Sequence, residues 1–337
     1  FTAIACFYIA NQHKDSNAFL YYIISGLLAG LAILTKGPVA LLIIGASLGI
    51  WLTFNRFKNM PSVLNFLSWF AVLLLIGCSW FILLVLQGNI NIVYDFIFYQ
   101  IRLFQTGDAG HSGPFYYHFI VLLIGCIPAS FLALKIVLKK QEKTSFLFLM
   151  QILFWFTLIL FTIVKTKIIH YSSLCYLPLT FMGAYYLINT EKNKIPKWIL
   201  NSISFVNLLI SLLLISLSYV LITGKLSNYI SLDDPFAVAS LSANVSWNIL
   251  HFIPGLVLFL GAVMAFYFRV KSPLKALSII IVSQLILIVS LKISFVSNVE
   301  KYSQGAVIEF YEINKGDGVV FVPLGLKSYA HLFYGET

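Results

Sequence analysis

Residues 146–163, FLFLMQILFWFTLILFTI, are eighteen consecutive positions without a charge. Such a run is close to the ~20 residues that a helix needs to cross ~30 Å of hydrocarbon. It is not isolated. Comparable runs recur near 18–35, 38–54, 63–87, 117–138, 168–188, 198–222, 248–268 and 274–292. Only 10% of the 337 residues are charged and 60% are hydrophobic, too little charge for a soluble domain. The expected fold class is therefore an all-α polytopic membrane protein. It has about nine full transmembrane helices plus a partial first one, because the opening FTAIACFYIA would rise only ~15 Å as a helix. The chain opens on Phe1 with no charged n-region or small-residue cleavage pattern, so this run reads as the end of a membrane helix.

The net charge of +10 then reads as topology, not as a nucleic-acid surface. One set of connections is NQHKDSN, NRFKNMP, KIVLKKQEKTS, NTEKNKIPK and RVKSPLK. It holds 13 Lys and Arg against three acids, while the alternate set with the tail holds nine of each. The positive-inside rule places the first set in the cytoplasm. Residues 1–292 then form the transmembrane domain, with an outer loop at 87–118 and a second at about 223–246. Residues 293–337 read as the beginning of a C-terminal outer domain. SQGAVIEFYEIN reads there as a short helix, GDG as a turn and VVFV as a buried strand, which makes the segment the start of a small α/β unit. The four cysteines are scattered singly and read as small core residues. Gly26 with Gly30, and Gly45 with Gly49, have the spacing of close helix contacts. Pro128, Pro178 and Pro254 are expected to kink their helices.

On this topology, leaving aside Lys292 and the tail, five cations face outward: Lys36, Arg102, Lys165, Lys167 and Lys225. Lysines at helix ends commonly snorkel to headgroups, but the charge bias makes that reading less comfortable on the outer face. The alternative is a site for an anion at the membrane surface, such as a lipid phosphate, which suits Lys point charges and an Arg fork. His170 and Tyr171 stand beside Lys167. Asp108 and His111 lie in the glycine-rich GDAGHSGP, a solvated turn or a loop that contacts substrate. Tyr116, Tyr117 and His118 read as interface aromatics. Asp95 reads as a cap or as a buried partner for Arg102. No metal-ligand spacing is evident, so any cofactor, including a divalent metal, stays unidentified.

GLAILTKGPVALLI, RLFQTGDAGHSGPFYYH and KTKIIHYSSLCYLPL follow one another in an order and topology that resemble one family. It is the bacterial integral-membrane glycosyltransferases of GT-C type, related to aminoarabinose transferases and protein O-mannosyltransferases. The tail segment PLGLKSYAHLFYG is similar to the start of their outer domain. The resemblance implies a multi-pass protein of the bacterial inner membrane with its active site at the outer, periplasmic face. There a hexosyl or pentosyl group moves from a polyprenyl-phosphate donor to a lipid, glycan or protein acceptor, among membrane lipids and without nucleic acid. It also implies substrate-binding roles for Lys36, Arg102, His111, Lys167, His170 and Tyr171, of which it selects Lys167 over Lys165 for the donor phosphate. The family's catalytic aspartate lies in a first outer loop with no counterpart in this sequence. The resemblance therefore implies a chain that holds the donor-phosphate half of a site and is inactive alone. The reading from another class is a transporter or flippase for an anionic lipid or solute, which would also want outer cations. It is weakened by the lack of an internal repeat and of ionisable residues at mid-membrane.

Overall fold

Helix starts and stops in the computed structural model follow local punctuation in the sequence. Ser62 and Ser145 accept hydrogen bonds at 3.2 Å from the backbone N–H of Asn65 and Phe148, capping two apolar helices. Pro38 opens another helix just after Gly37, which has φ 67°. The structure describes residues 1–13, 17–58, 60–105, 113–191, 194–224, 238, 241, 243, 245–316, 318–324 and 329–336, apart from the side chains of Leu103 and Phe104. All regular structure among them is helical.

The chain falls into two compact units, Phe1–Glu191 and Lys192–Thr337. The first contains α1 (Thr2–Gln12), α2 (Asn17–Lys36), α3 (Pro38–Phe54), α4 (Val63–Gly77), α5 (Ser79–Leu86) and α6 (Ile90–Gln105). It continues with α7 (Tyr117–Gly125), α8 (Ala129–Val137), α9 (Phe146–Ile163), a 3-10 segment at Ile169–Cys175 and α10 (Tyr176–Ile188). Its core joins Phe7, Tyr22, Trp51, Trp69, Leu149 and Leu153. Ser25 ties three helices together: its hydroxyl donates to Ala3 O at 2.7 Å and receives the Trp69 indole N–H at 3.0 Å. Such bonds matter where no water can replace them.

The second unit contains α11 (Lys197–Ile222), a 3-10 turn at Ile249–Phe252, α12 (Ile253–Phe268) and α13 (Pro273–Leu291). After α13 the helix continues through a π-helical segment, Lys292–Val296, then Ser297–Glu300 and a second π segment, Lys301–Gly305, into α14 (Ala306–Asn314). α15 (Ala330–Tyr334) closes the unit. Gly255 and Gly261 let helices approach: a Cβ there would lie 2.7 Å from Ile215 Cγ1 and 2.5 Å from Ser283 Cβ. Gln284 Nε2 donates to the buried Asn207 Oδ1 at 2.8 Å inside this bundle.

Among the described residues five helical stretches are long and apolar enough to cross a bilayer, and up to seven if each of two bent pairs is one span. Large apolar side chains such as Leu213, Ile288 and Val289 remain outward and exposed, as a lipid-facing surface requires. This is a multi-pass membrane protein. The difference from nine has a local cause. α3 is 17 residues long, and the run at 168–188 divides into a 3-10 segment and the 13-residue α10.

Several expectations need correction. The runs at 63–87 and 117–138 are not continuous helices. They bend by 50° between α4 and α5 and by 118° between α7 and α8, the latter at Pro128. Pro178 and Pro254 do not kink helices, because they fall in the first turns of α10 and α12, where proline leaves no intrahelical bond unmade. The division at 292/293 falls inside helix that runs unbroken over Pro273–Asn314. Those 42 residues reach ~63 Å at 1.5 Å each, beyond the ~30 Å of hydrocarbon. VVFV is not a strand: residues 319–322 have no regular structure, and Phe321 instead packs on Tyr311 at 5.0 Å between ring centroids. A strand needs a partner ladder, and none exists among the described residues.

Candidate functional site

The site grows from the turn between α2 and α3. Lys36 ends α2, where a cation complements the helix dipole. Gly37 follows with φ 67°, and its N–H closes the helix on Ile33 O at 2.7 Å. A Cβ at Gly37 would sit 2.9 Å from Phe96 Cζ, so this turn also needs glycine to seat α6. α6 turns one side toward the same space. Ile92, Phe96, Tyr99 and Gln100 have helical spacing and line a cavity of about 780 Å³.

Phe161 and Val164 at the end of α9, with His170, Tyr171 and Leu174 of the following 3-10 segment, complete the polar and aromatic part of that cavity. Ile43, Ile44, Phe81, Leu84 and Leu177 supply apolar wall. The space suits an amphipathic ligand, with ionic and hydrogen-bonding groups beside a large apolar lining. The His170 and Tyr171 rings meet edge to face at 5.1 Å, and Tyr171 leans on Phe161 at 5.4 Å.

Of the six residues singled out from the sequence, Lys36, His170 and Tyr171 line this cavity. Arg102 is not in its lining, but its guanidinium lies over the ring of the lining residue Tyr99, 5.2 Å from the centroid. His111 lies outside the described residues, as do Asp108 and Lys225.

Lys167 is placed differently from its expected phosphate role. Its ammonium donates to Phe161 O at 3.0 Å, Thr162 O at 2.7 Å and Val164 O at 2.6 Å. Those are carbonyls at the C-terminal end of α9, and an ammonium has three protons to give. Lys167 is 6% exposed, whereas Lys165 is exposed. Burial also lowers the Lys167 pKa from the ordinary lysine value. The alternation of the two lysines was readable from spacing, but the partner was not. Asp95 is neither cap nor buried partner, since it lies exposed within α6.

Tyr99 and Gln100 were missed as site residues, although the 92, 96, 99, 100 spacing in the apolar loop sequence was a usable helix signal. His118 was misread as an interface aromatic. It is fully buried, and its Nδ1 lies 3.1 Å from the Ser172 hydroxyl. Gly113 meets the same region: a Cβ there would be 3.2 Å from Lys167 Cγ. The stretch leading into α7 thus rests on the connection that carries His170 and Tyr171. Among the described residues no group of three His, Cys, Asp or Glu is placed to hold a metal ion.

No family model matches the chain. The chain does align with the crystal structure of ArnT from Cupriavidus metallidurans bound to undecaprenyl phosphate, over 99% of its own length and 59% of that chain, with TM-score 0.67 and 15% identity. The fold is that of the ArnT membrane protein. The apo structure of ArnT gives a TM-score of 0.65 at 14% identity. Sequence comparison leads the same way. An undecaprenyl phosphate-alpha-4-amino-4-deoxy-L-arabinose arabinosyl transferase of Wigglesworthia glossinidia brevipalpis is 30% identical over 170 residues, 48% of this chain and 30% of that protein. A second arabinosyl transferase of that name, from Proteus mirabilis, is 31% identical over 187 residues, 53% of this chain and 32% of that protein. An uncharacterized protein of Aquifex aeolicus is 34% identical over 163 residues, 47% of this chain and 36% of that protein. The matches thus span about a third of these curated relatives' length. The resemblance read from the three motifs, to bacterial membrane glycosyltransferases of the ArnT type, agrees with both comparisons.

Proposed function

We propose that this protein is a glycosyltransferase that takes a sugar from a polyprenyl-phosphate donor and passes it to an acceptor at the outer face of the bacterial inner membrane. One observation carries the reading. Lys36, His170 and Tyr171 share a cavity of about 780 Å³ whose remaining lining is largely apolar, with Arg102 one aromatic ring away. An isoprenoid chain wants such an apolar wall, and its phosphate wants fixed donors at the end of it. ArnT from Cupriavidus metallidurans, whose fold this chain shares, was crystallised with undecaprenyl phosphate.

In the proposed reaction the bond between the sugar's anomeric carbon and the phosphate oxygen breaks, with its electron pair staying on the phosphate. An acceptor oxygen bonds to that carbon and gives its proton to a base, the role the resemblance assigns to an aspartate of the family's first outer loop. The Lys36 ammonium stabilises the growing negative charge, and Arg102 joins it when α6 seats the donor. One such contact is worth about 10²–10³ in rate when the site is partly dry. The Tyr171 hydroxyl and the His170 ring orient the phosphate or the sugar. The transferred group is pentosyl or hexosyl, with an aminopentose favoured by the relatives' names. The acceptor is a lipid, a glycan or a protein. The phosphate site and its outer-face position rest on the motif resemblance and the charge pattern of the connections.

The test is direct binding of undecaprenyl phosphate to the chain in phosphatidylcholine nanodiscs, read by native mass spectrometry. Lys36→Ala should weaken binding by about tenfold or more, since a charge-assisted contact is worth 1.5–3 kcal/mol, while Lys58→Ala should not change it. Equal affinities for the three proteins would remove the phosphate site from this cavity. In a transfer assay Lys36→Ala should also depress sugar release from the donor.

A further inference from the structure

The second unit holds a separate cavity of about 380 Å³, lined by Ser246, Asn248 and His251 on one side and by Ser290, Ser294, Ser297 and Asn298 on the other. Leu250, Ile253 and Ile293 supply its apolar edge. No Lys, Arg, Asp or Glu lines it. It forms where α13 passes into the first π-helical segment, and Ser294 lies within that segment. π-bulges are rare and often mark functional sites.

The hydrogen bonds fix what the cavity offers. Asn298, 8% exposed, donates from Nδ2 to Ser246 O at 2.9 Å, and that nitrogen lies 3.1 Å from His251 Nε2. His251, 4% exposed, holds Nδ1 3.1 Å from the Asn248 N–H and 2.9 Å from Asn248 O. Both ring nitrogens therefore have partners inside the protein. The Asn298 amide nitrogen is likewise turned inward, which leaves Oδ1 as the acceptor that residue can present. Ser294 donates to Ser290 O at 2.6 Å, and Ser290 donates to Leu287 O at 3.0 Å. Both hydroxyl protons turn back to the helix, and both oxygens keep lone pairs for a ligand. The His251 ring packs on Trp247 at 4.7 Å, and the Trp247 indole N–H is bound to Tyr302 OH at 2.9 Å, so the wall behind the cavity is held in place.

The cavity is therefore lined by neutral groups beside a short apolar edge: Asn298 Oδ1 and the Ser290 and Ser294 oxygens can accept, and the Asn248 amide and the Ser246 and Ser297 hydroxyls can donate. An anion would find no charged partner there. A cation would lose its hydration without gaining a carboxylate. We infer that it is a second binding site, for an uncharged polyol such as a sugar ring or a glycosyl headgroup, held through its hydroxyls. The inference does not depend on the phosphate reading of the first cavity, which belongs to the other unit.

The experiment uses the full chain in phosphatidylcholine nanodiscs prepared without glycosidic detergent. Saturation-transfer NMR with methyl β-D-glucoside should show contact with the protein. Glucuronate and protonated glucosamine should show at least fivefold less. Asn298→Leu and Ser294→Val should each abolish the signal, while Lys58→Ala should leave it unchanged. A second arm incorporates monoglucosyl-diacylglycerol or phosphatidylglycerol into the nanodisc and reads retained lipid by mass spectrometry. Asn298-dependent retention of the glucolipid without glucoside binding would assign the site to a lipid-borne sugar; glucoside binding alone would assign it to a soluble one. Either result supports the site. No transfer and no retention, signals in the variants equal to that of the wild type, or equal uptake of the charged probes would overturn it. Both variants are checked for unchanged thermal unfolding; if Asn298→Leu unfolds, Ser294→Val alone carries the comparison.

Discussion

Lys167 shows how one residue type serves two ends of a membrane helix bundle. Lys36 stands at the end of α2 and faces a cavity, while Lys167 turns back on the end of α9 and fills three carbonyls. Removing these two amines should therefore have different consequences. Lys167→Met would leave those carbonyls without their ammonium at a buried position, at a cost of about 1–3 kcal/mol. The expected result is a clear fall in the thermal midpoint in nanodiscs, with donor affinity changing only as far as the connection carrying His170 and Tyr171 is displaced. Lys36→Ala should do the opposite, with an unchanged midpoint and weakened undecaprenyl phosphate binding. Burial lowers the Lys167 pKa in the folded state. Between that value and the ordinary one, the unfolded chain still holds a proton that the folded chain has released, so stability rises with pH. Over that alkaline interval the wild-type midpoint should gain on that of Lys167→Met. A difference that stays flat, or falls, would mean that the buried amine does not titrate as its burial requires.

At the scale of elements, two identical sequence signals came to different ends. Gly26 and Gly30 do seat α4 on α2: a Cβ at 26 would lie 2.5 Å from Trp69 O, and one at 30 would lie 2.7 Å from Ile76 Cβ. Gly45 and Gly49 have the same spacing, yet a Cβ at either meets nothing within 4 Å. Gly26→Ala should destabilise by roughly 1–3 kcal/mol through overpacking against backbone. Gly45→Ala should be neutral or stabilising by up to about 1 kcal/mol, because alanine is the better helix former. Urea or thermal titration of both variants separates the cases, and equal effects would sink the packing account. The same contrast explains what was legible. Helix limits such as Pro38–Phe54 and Phe146–Ile163 could be read because caps, prolines and charges are local signals. The bend between α7 and α8 was legible in place, because Pro128 marks it, but not in its 118° extent, because apolar composition is the same in a kinked and a broken helix. At the site, the pairing of Lys36 with the 170–171 connection followed from motif order. The destination of the Lys167 ammonium did not, since it depends on the fold of five residues after α9.

The whole molecule adds a question that neither residues nor elements settle, namely which ends of the spans share a side of the membrane. The charge pattern gives one answer, with 13 basic residues against three acids in alternate connections. The bent pair α7–α8 is where that answer is most exposed, because a pair turned by 118° is either a broken span or a re-entrant loop. Local contacts favour a crossing. At its start His118 lies 3.1 Å from Ser172 and packs on Phe161, near the end of α9. At its far end Gln151, in the first half of α9, donates to Ile136 O at 2.6 Å and Lys139 O at 2.8 Å, and the Trp155 indole reaches Val137 O at 3.3 Å. The pair therefore progresses along α9 from one end toward the other, antiparallel to it, as a span broken at Pro128 would. Single cysteines at Lys140 and Lys194, on a background without the four native thiols, should then react with a membrane-impermeant maleimide only from the cytoplasmic side. A cysteine at the exposed Lys165 should react only from outside. Labelling of positions 140 and 165 from the same side would make α7–α8 and α9 a re-entrant arrangement. It would also break the alternation on which the outer position of Lys36, His170 and Tyr171 rests, and the proposed donor site would need a different face.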